Sequence, residues 1–325
     1  VGDPPHADLA FAALVTHEIL VARPVSRFPG EAEYRFRHAL LREGAYALLT
    51  DDDRALGHRL AAEWLAAHAE DDALVLAEHF DRGGDGERAG AHYLRAADRA
   101  SLAGDTLGAI GIVRRGLGVA RDRNTRAALL GLSCQLHYHR AEVLDQARPA
   151  AAELLETAHH GSAPWAQAML VEITCAVKDG RMDDFGRALA PVLAAEFEPA
   201  AHDPASLTLA TICFLLDLGA SIPAANVAFA RLEALALAPD GAPSVVALHH
   251  LLGALRRPMI DQDPWAGRED ARRAREKAIE IGHHKYASVA VLFGALDTWL
   301  LGAFAEARRA AIDADRAADD SGFAS

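Results

Sequence analysis

The sequence predicts an all-α protein: an α-solenoid of stacked helical hairpins behind a small N-terminal unit with one β-hairpin. Three observations carry this. About half of the 325 residues are hydrophobic (51%), yet aromatics supply only 6%, so alanine makes up much of the apolar content. Alanine is the best helix former and lets helix backbones approach closely. Apolar residues recur at three-to-four spacing, and one pattern of small residues returns at nearly fixed intervals.

The first stretch, 1–55, differs from the rest. A helix is expected from about His6 to Ala22, ending before Pro24. Pro24-Val25-Ser26-Arg27-Phe28 and Glu33-Tyr34-Arg35-Phe36-Arg37 flank a Pro29-Gly30 turn and read as a hairpin. A second helix, about His38 to Leu49, completes a helix–hairpin–helix order that suits the end of a winged-helix unit. From Asp51 onward only helices are expected. Asp51-Asp52-Asp53 reads as an N-cap cluster, since acids in a first turn favour the helix dipole. Leu56, Leu60, Trp64, Leu65 and His68 then mark one helix face.

Segment 56–325 carries an internal repeat. Small or apolar residues follow a turn glycine in Gly302, Phe304, Ala307, Ala311 and Ala314. Gly84, Gly86, Ala89, Tyr93 and Ala96 form another copy, and Gly180, Met182, Phe185, Leu189 and Val192 a third. The central position runs through Ala109, Ala147, Phe185 and Ala224 at steps of 38, 38 and 39 residues, then to Ala271 and Ala307. The loop from Arg256-Arg257-Pro258 to Asp263-Pro264 absorbs the longer step before Ala271. These are tetratricopeptide-like (TPR-like) hairpins of irregular, lengthened period. Cys134, Cys175 and Cys213 keep the same register late in first helices, and read as small buried hydrophobes without a metal.

Two classes are disfavoured by composition. A formal charge of −13 disfavours a general nucleic-acid surface. No apolar run approaches the roughly 18–20 residues that span a bilayer. Three cysteines are unlike a secreted disulfide framework, and Val1-Gly2-Asp3-Pro4-Pro5 has no signal-peptide character, so a cytoplasmic location is expected. The missing initiator Met and the end at Gly322-Phe323-Ala324-Ser325 suggest a piece of something longer.

Tyr34-Arg35-Phe36-Arg37-His38-Ala39-Leu40-Leu41-Arg42-Glu43-Gly44-Ala45-Tyr46 resembles the motif that closes the winged helix behind the AAA-like domain of multidomain signal-transduction (STAND-type) ATPases. Leu56-Gly57-His58-Arg59, Leu76-Ala77-Glu78-His79-Phe80 and Ala91-His92-Tyr93-Leu94-Arg95-Ala96-Ala97 continue the likeness. The region is similar to that following the ATPase module of large bacterial serine/threonine kinases, the myxobacterial kind above all, and of LuxR-type ATP-binding regulators. The likeness is specific over about Phe28–Ala120. The related NB-ARC ATPases have a Met-His-Asp motif whose histidine approaches the β-phosphate of ADP. The resemblance implies that role for His38, with Arg37 beside it, although Phe36-Arg37-His38-Ala39-Leu40 lacks the Asp. A histidine opening a helix is well placed for a phosphate, because helix N-termini attract anions. The alternative is that His38 only caps or packs the helix.

Catalytic signatures are absent: no phosphate-binding loop, no kinase His-Arg-Asp or Asp-Phe-Gly, no Gly-x-Ser-x-Gly elbow and no His-Glu-x-x-His. His137-Tyr138-His139, His159-His160, His249-His250 and His283-His284 lack partners at metal-ligand spacing, and read as exposed or partly packed. Glu78-His79 lacks a nucleophile, and Asp261-Gln262-Asp263 lacks the glycine and distal glutamate of a calcium loop. The basic cluster Arg23, Arg27, Arg35, Arg37, His38 and Arg42 reads as a phosphate-facing or domain-docking surface, with DNA the rival. The expected function is non-catalytic: a regulatory segment whose concave face holds a protein partner or another domain of the same polypeptide, with no cofactor, metal or membrane. Two other readings stay open: part of a serine/threonine kinase polypeptide, or of a LuxR-type DNA-binding regulator.

Overall fold

The computed structural model describes residues 4–320 except Ala69, His139 and Asp240; the expectations for Val1-Gly2-Asp3 and Gly322-Phe323-Ala324-Ser325 lie outside the described residues, as does the side chain of Ala314. Among these residues the fold is all-α, with sixteen α-helices and one two-stranded sheet. It divides into two compact units, Val1–Arg126 and Ala127–Ser325.

In the first unit α1 (Pro4–Thr16) is shorter than expected. Glu18 turns left-handed (φ 59), and Ile19 N–H reaches back to the Leu14 carbonyl at 2.9 Å, which ends the helix. The chain then enters β1 (Leu20–Ala22), antiparallel to β2 (Tyr34–Phe36), with Leu20 opposite Phe36. The first strand therefore precedes Pro24 and is not Pro24–Phe28. Proline lacks the N–H a ladder needs, and the last rung runs from Arg23 N–H to the Glu33 carbonyl at 2.8 Å. The expected turn does form: Phe28 C=O accepts from Glu31 N–H at 3.1 Å across Pro29 and Gly30, whose φ of 85 only glycine adopts freely. Phe28 packs edge-on against Trp64 at 4.7 Å.

After α2 (Ala39–Ala47) comes α3 (Asp51–Ala67). The cap is Thr50, whose hydroxyl accepts from Asp53 N–H at 3.2 Å; the three aspartates form the first turn behind it. The expected stripe on α3 is only half covered. Ala62 is its one buried residue among those described, while Leu56 and Trp64 stay exposed. The boundary drawn between 55 and 56 falls inside α3 and inside this unit. Beyond it, α4 (Ala73–Arg82), α5 (Gly86–Leu102) and α6 (Thr106–Val119) pack in sequence around Leu76, Phe80 and Tyr93. A Cβ on Gly86 would lie 2.6 Å from the Val119 carbonyl oxygen, so α5 and the end of α6 meet at backbone distance.

The second unit holds most of α7 (Arg123–Tyr138), then α8 (Arg148–Thr157), α9 (Ala163–Lys178), α10 (Met182–Ala194), α11 (His202–Leu218) and α12 (Ile222–Ala236). It continues through α13 (Pro243–Met259), α14 (Pro264–Glu280), α15 (His284–Leu300) and α16 (Phe304–Asp320). From α8 onward each helix packs on the next, and α9, α11, α13 and α15 also pack on one another as a row. The repeat positions Ala109, Ala147, Phe185, Ala271 and Ala307 are all buried. At the fourth position the register moves by one: Ala225 is buried and Ala224 only half-buried.

The turns explain that slip. Gly84, Gly104, Gly180, Gly282 and Gly302 all lie at positive φ just after a helix. In each case the next N–H bonds the carbonyl five residues back, as Arg181 N–H does to Ala176 C=O at 2.8 Å. This is the Schellman closure, which satisfies helix-end carbonyls. After α11 the glycine is one residue early: Gly219 is right-handed, and Ala220 takes the left-handed place at φ 56. A Cβ there costs roughly 1–2 kcal/mol. Ala220→Gly should therefore raise stability by about 1 kcal/mol, and Gly180→Ala, where a Cβ meets nothing within 4 Å, should lower it by a similar amount. Denaturant melts of the two variants check this; equal responses would mean that the turn conformations carry no cost.

Candidate functional site

The residues singled out for phosphate lie where α2 begins. His38 is the N-cap, with extended backbone (φ −125, ψ 139) and no side-chain bond to the first turn. His38 and Arg37 are both exposed, and Arg37 pairs with Glu18 at 3.3 Å. Arg23 and Arg27 share Glu33 at 3.2 and 3.6 Å, and Arg27 also faces Glu70 at 3.8 Å. Arg35 and Arg42 make no ion pair among the described residues. The basic cluster is thus largely divided into local pairs, which leaves less net positive charge than the sequence suggests. Beside it, Phe11, Leu14, Ile19, Phe36, Leu41 and Leu48 are among the residues lining an open apolar hollow of about 520 Å³.

Sequence reasoning missed a chain of polar rings. Tyr46 Oη lies 2.9 Å from His58 Nε2, and His58 Nδ1 lies 3.2 Å from His79 Nδ1. Burial lowers the pKa of both histidines; His79 and Arg82 add to the effect on His58, and Arg82 to that on His79. Two neutral imidazoles can share one proton across such a contact, so the chain fastens α2 to α3 and α3 to α4. The only sequence signal was that Tyr46, His58 and His79 all sit in segments of the noted resemblance. Glu78 is occupied by Arg115 at 2.8 Å.

The histidine pairs diverge. His137 and His249 are buried, contrary to the expectation of exposed or partly packed rings. His137 Nδ1 lies 2.7 Å from the Ser133 carbonyl, while His249 stacks on Phe229 at 5.1 Å. His250 bonds Asp270 at 2.7 Å, and His159 bonds Glu198 at 2.5 Å. His160 stacks on Trp165, and His283 caps α15 by accepting from Tyr286 N–H at 3.2 Å. His139 and the side chain of His284 lie outside the described residues. Among the described residues no three His, Cys, Asp or Glu side chains converge as for a metal. Asp263 caps α14 by accepting from Ala266 N–H at 3.0 Å, and Asp261 is exposed.

All three cysteines are buried. Burial pushes the thiols of Cys134 and Cys213 up to about 12 and raises that of Cys175. Cys213 donates to the Ala225 carbonyl at 3.4 Å. Such thiols are poor nucleophiles and poor ligands at neutral pH.

Inside the row, Tyr138 on α7 bonds Thr211 on α11 at 2.8 Å. Burial raises the pKa of Tyr286 on α15, with Asp203 and Tyr138 adding to it. Near the other end of α15, Asp297 is fully buried, and neither carboxylate oxygen has a hydrogen-bond partner. Its carboxyl lies beside Gly267, where an added Cβ would stand 2.9 Å from the Asp297 Oδ2. No match to this chain was found among protein families, curated proteins or solved structures. Among the described residues no helix is long and apolar enough to cross a membrane.

Burial, with Asp270 nearby, raises the Asp297 carboxyl from 3.8 to about 7. Between those values the folded chain holds a proton that the unfolded chain has lost. Its contribution to stability is therefore greatest below pH 3.8, falls as pH rises to about 7, and is flat above. Asp297→Asn should stabilise the protein at pH 8 by on the order of 1–3 kcal/mol, with the gain shrinking towards zero near pH 4. Melting the two proteins across that range tests it; a pH-independent difference would show that Asp297 is not held protonated.

Proposed function

We propose that this chain is a non-catalytic interaction segment, a TPR-like α-solenoid that holds another polypeptide or another domain of its own. The observation that carries it is the row α9, α11, α13 and α15, each helix packed on the next member of the row and on the helix between them. That nearest-neighbour pattern, with the same left-handed turn inside most of the hairpins, is how stacked repeats bury a core that no single hairpin could bury. Extended surfaces of stacked hairpins suit recognition of a polypeptide segment.

Within this reading, residues 1–55 are the end of a winged helix, and the chain serves a multidomain bacterial signalling ATPase in a cytoplasmic setting. The helix–hairpin–helix order of α1, β1, β2 and α2 favours that placement. His38 and Arg37, exposed where α2 opens, would meet a nucleotide phosphate supplied with an adjoining ATPase domain.

Two experiments test the proposal. Purified protein is expected to show no ATP turnover; turnover abolished by a substitution within this chain would overturn the non-catalytic reading. Ala307, buried where α16 meets α15, tests the array. A large side chain there overpacks the contact at a cost of about 1–3 kcal/mol. Since repeat stability is nearly a sum of local terms, Ala307→Trp should fray the hairpins beyond about Arg268 and leave protection before Ala120 near normal in hydrogen exchange. Protection falling evenly from end to end would mean one cooperative globule.

A further inference from the structure

Two buried acids lie where α13, α14 and α15 pack together, and their surroundings differ. Asp270 on α14 is held from α13: His250 bonds one of its oxygens at 2.7 Å and Arg257 the other at 2.5 Å. Asp297 on α15, within electrostatic reach of Asp270, is fully buried and has no partner for either oxygen. A glycine makes room for each. A Cβ on Gly253 of α13 would stand 2.5 Å from Asp270 Oδ2, and one on Gly267 of α14 would crowd Asp297 in the same way.

The other charges on the helices around α15 are engaged elsewhere. On α13, Arg256 is held by Asp217 and Asn226, and His249 stacks on Phe229 with Glu233 at 3.8 Å. On α14, Arg268 pairs with Glu306 of α16, Glu269 with Arg272 and Arg273, and Lys277 with Glu280. On α16, Arg308, Arg309 and Asp313 are exposed. Among the described residues no cation acts on Asp297, and the one charge that does is the like charge of Asp270. A carboxylate left unpaired in such a place is too costly to keep, so close packing requires Asp297 to hold its proton. The bonds from His250 and Arg257 tie α14 to α13, whereas no such bond reaches Asp297. Ionisation therefore acts on the boundary between α14 and α15, which the chain crosses at the left-handed Gly282. Helix α16 packs on α15 and would move with it.

We propose that Asp297 is a proton-held latch: the hairpin α15–α16 stays closed on α14 while this carboxyl keeps its proton, and opens as a unit when the proton leaves. This rests on the repeat reading, because only an array of nearly independent neighbours lets one hairpin open alone. Opening admits water, and the carboxyl returns from about 7 to its ordinary 3.8. Between those values each opening releases one proton, so the open fraction rises about tenfold per pH unit and levels off above about 7. The latch is tightest in acid and loosest at and above neutrality.

Hydrogen exchange followed from about pH 5 to about pH 7 reads this directly. Amide exchange is base-catalysed and itself quickens about tenfold per pH unit, so amides of α15 and α16 should quicken about a hundredfold per unit. Amides of α5, in the other unit, should quicken about tenfold or less, and those of α9 should exchange more slowly than those of α15 at every pH. Asp297→Asn should return α15 and α16 to about tenfold per unit. Asp297→Leu, of similar volume and with no proton to lose, is a second such variant, and circular dichroism confirms the fold of each. A tenfold dependence in α15 and α16 of the parent protein would overturn the latch and leave the array untouched. Equal protection of α9 and α15, both with the hundredfold dependence, would mean that the second unit opens as one globule, which overturns the latch and the repeat reading together. A hundredfold dependence that survives both substitutions would assign the proton to another group and overturn the proposal.

Discussion

Close approach of helices at alanine is the interaction on which the rest depends. A chain with few aromatics cannot fill wide gaps between helices, so its helices must come near enough for small residues to touch. Ala109, Ala225, Ala271 and Ala307 are buried at those crossings, and Gly86 lets α5 approach the end of α6 at backbone distance. Phe185 is the exception that the same rule explains: its bulk is accommodated with Ala188 one turn on, also buried, as the small partner. Each crossing involves neighbours in sequence. Dispersion gained there accrues locally, which is why the helices line up as a row.

The second constraint is the turn. To lay one helix back along its predecessor, the chain must reverse within a few residues while satisfying the carbonyls left over at the helix end. The left-handed residue does both, and glycine supplies it at five helix ends. Glu18 and Ala220 do the same without glycine, at an energetic cost that packing on either side offsets. At Ala220 the displaced glycine also moves the buried alanine of α12 by one place, so turn and core register shift together.

The all-α class, the burial of most repeat positions, the Pro29-Gly30 turn and the buried cysteines were legible in the sequence, because each follows from local periodicity or turn chemistry. The first strand was not. Pro24 to Phe28 has strand-like composition, but the partner strand pairs with Leu20–Ala22, and no local signal announces that Glu18 will turn left-handed. The candidate site was legible only in part. His38 and Arg37 stand exposed at the start of a helix, as the spacing implied, yet Glu18 and Glu33 neutralise much of the surrounding basic cluster from positions that sequence distance does not reveal. The contact of His58 with His79 spans 21 residues and two helices, beyond the reach of periodicity.

The polar interior follows from the same geometry. In a row of stacked helices, a member such as α11 is enclosed on nearly every side, so residues that an isolated amphipathic helix would expose become buried. Thr208, Thr211 and His249 find carbonyl, hydroxyl or ring neighbours there, and Arg256 is held by Asp217 and Asn226. Asp297 finds none: neither of its carboxylate oxygens has a hydrogen-bond partner, and Asp270 nearby adds to the cost of ionising it. An acid left without a partner inside closely packed helices is accommodated by keeping its proton, which is why its carboxyl is raised to about 7.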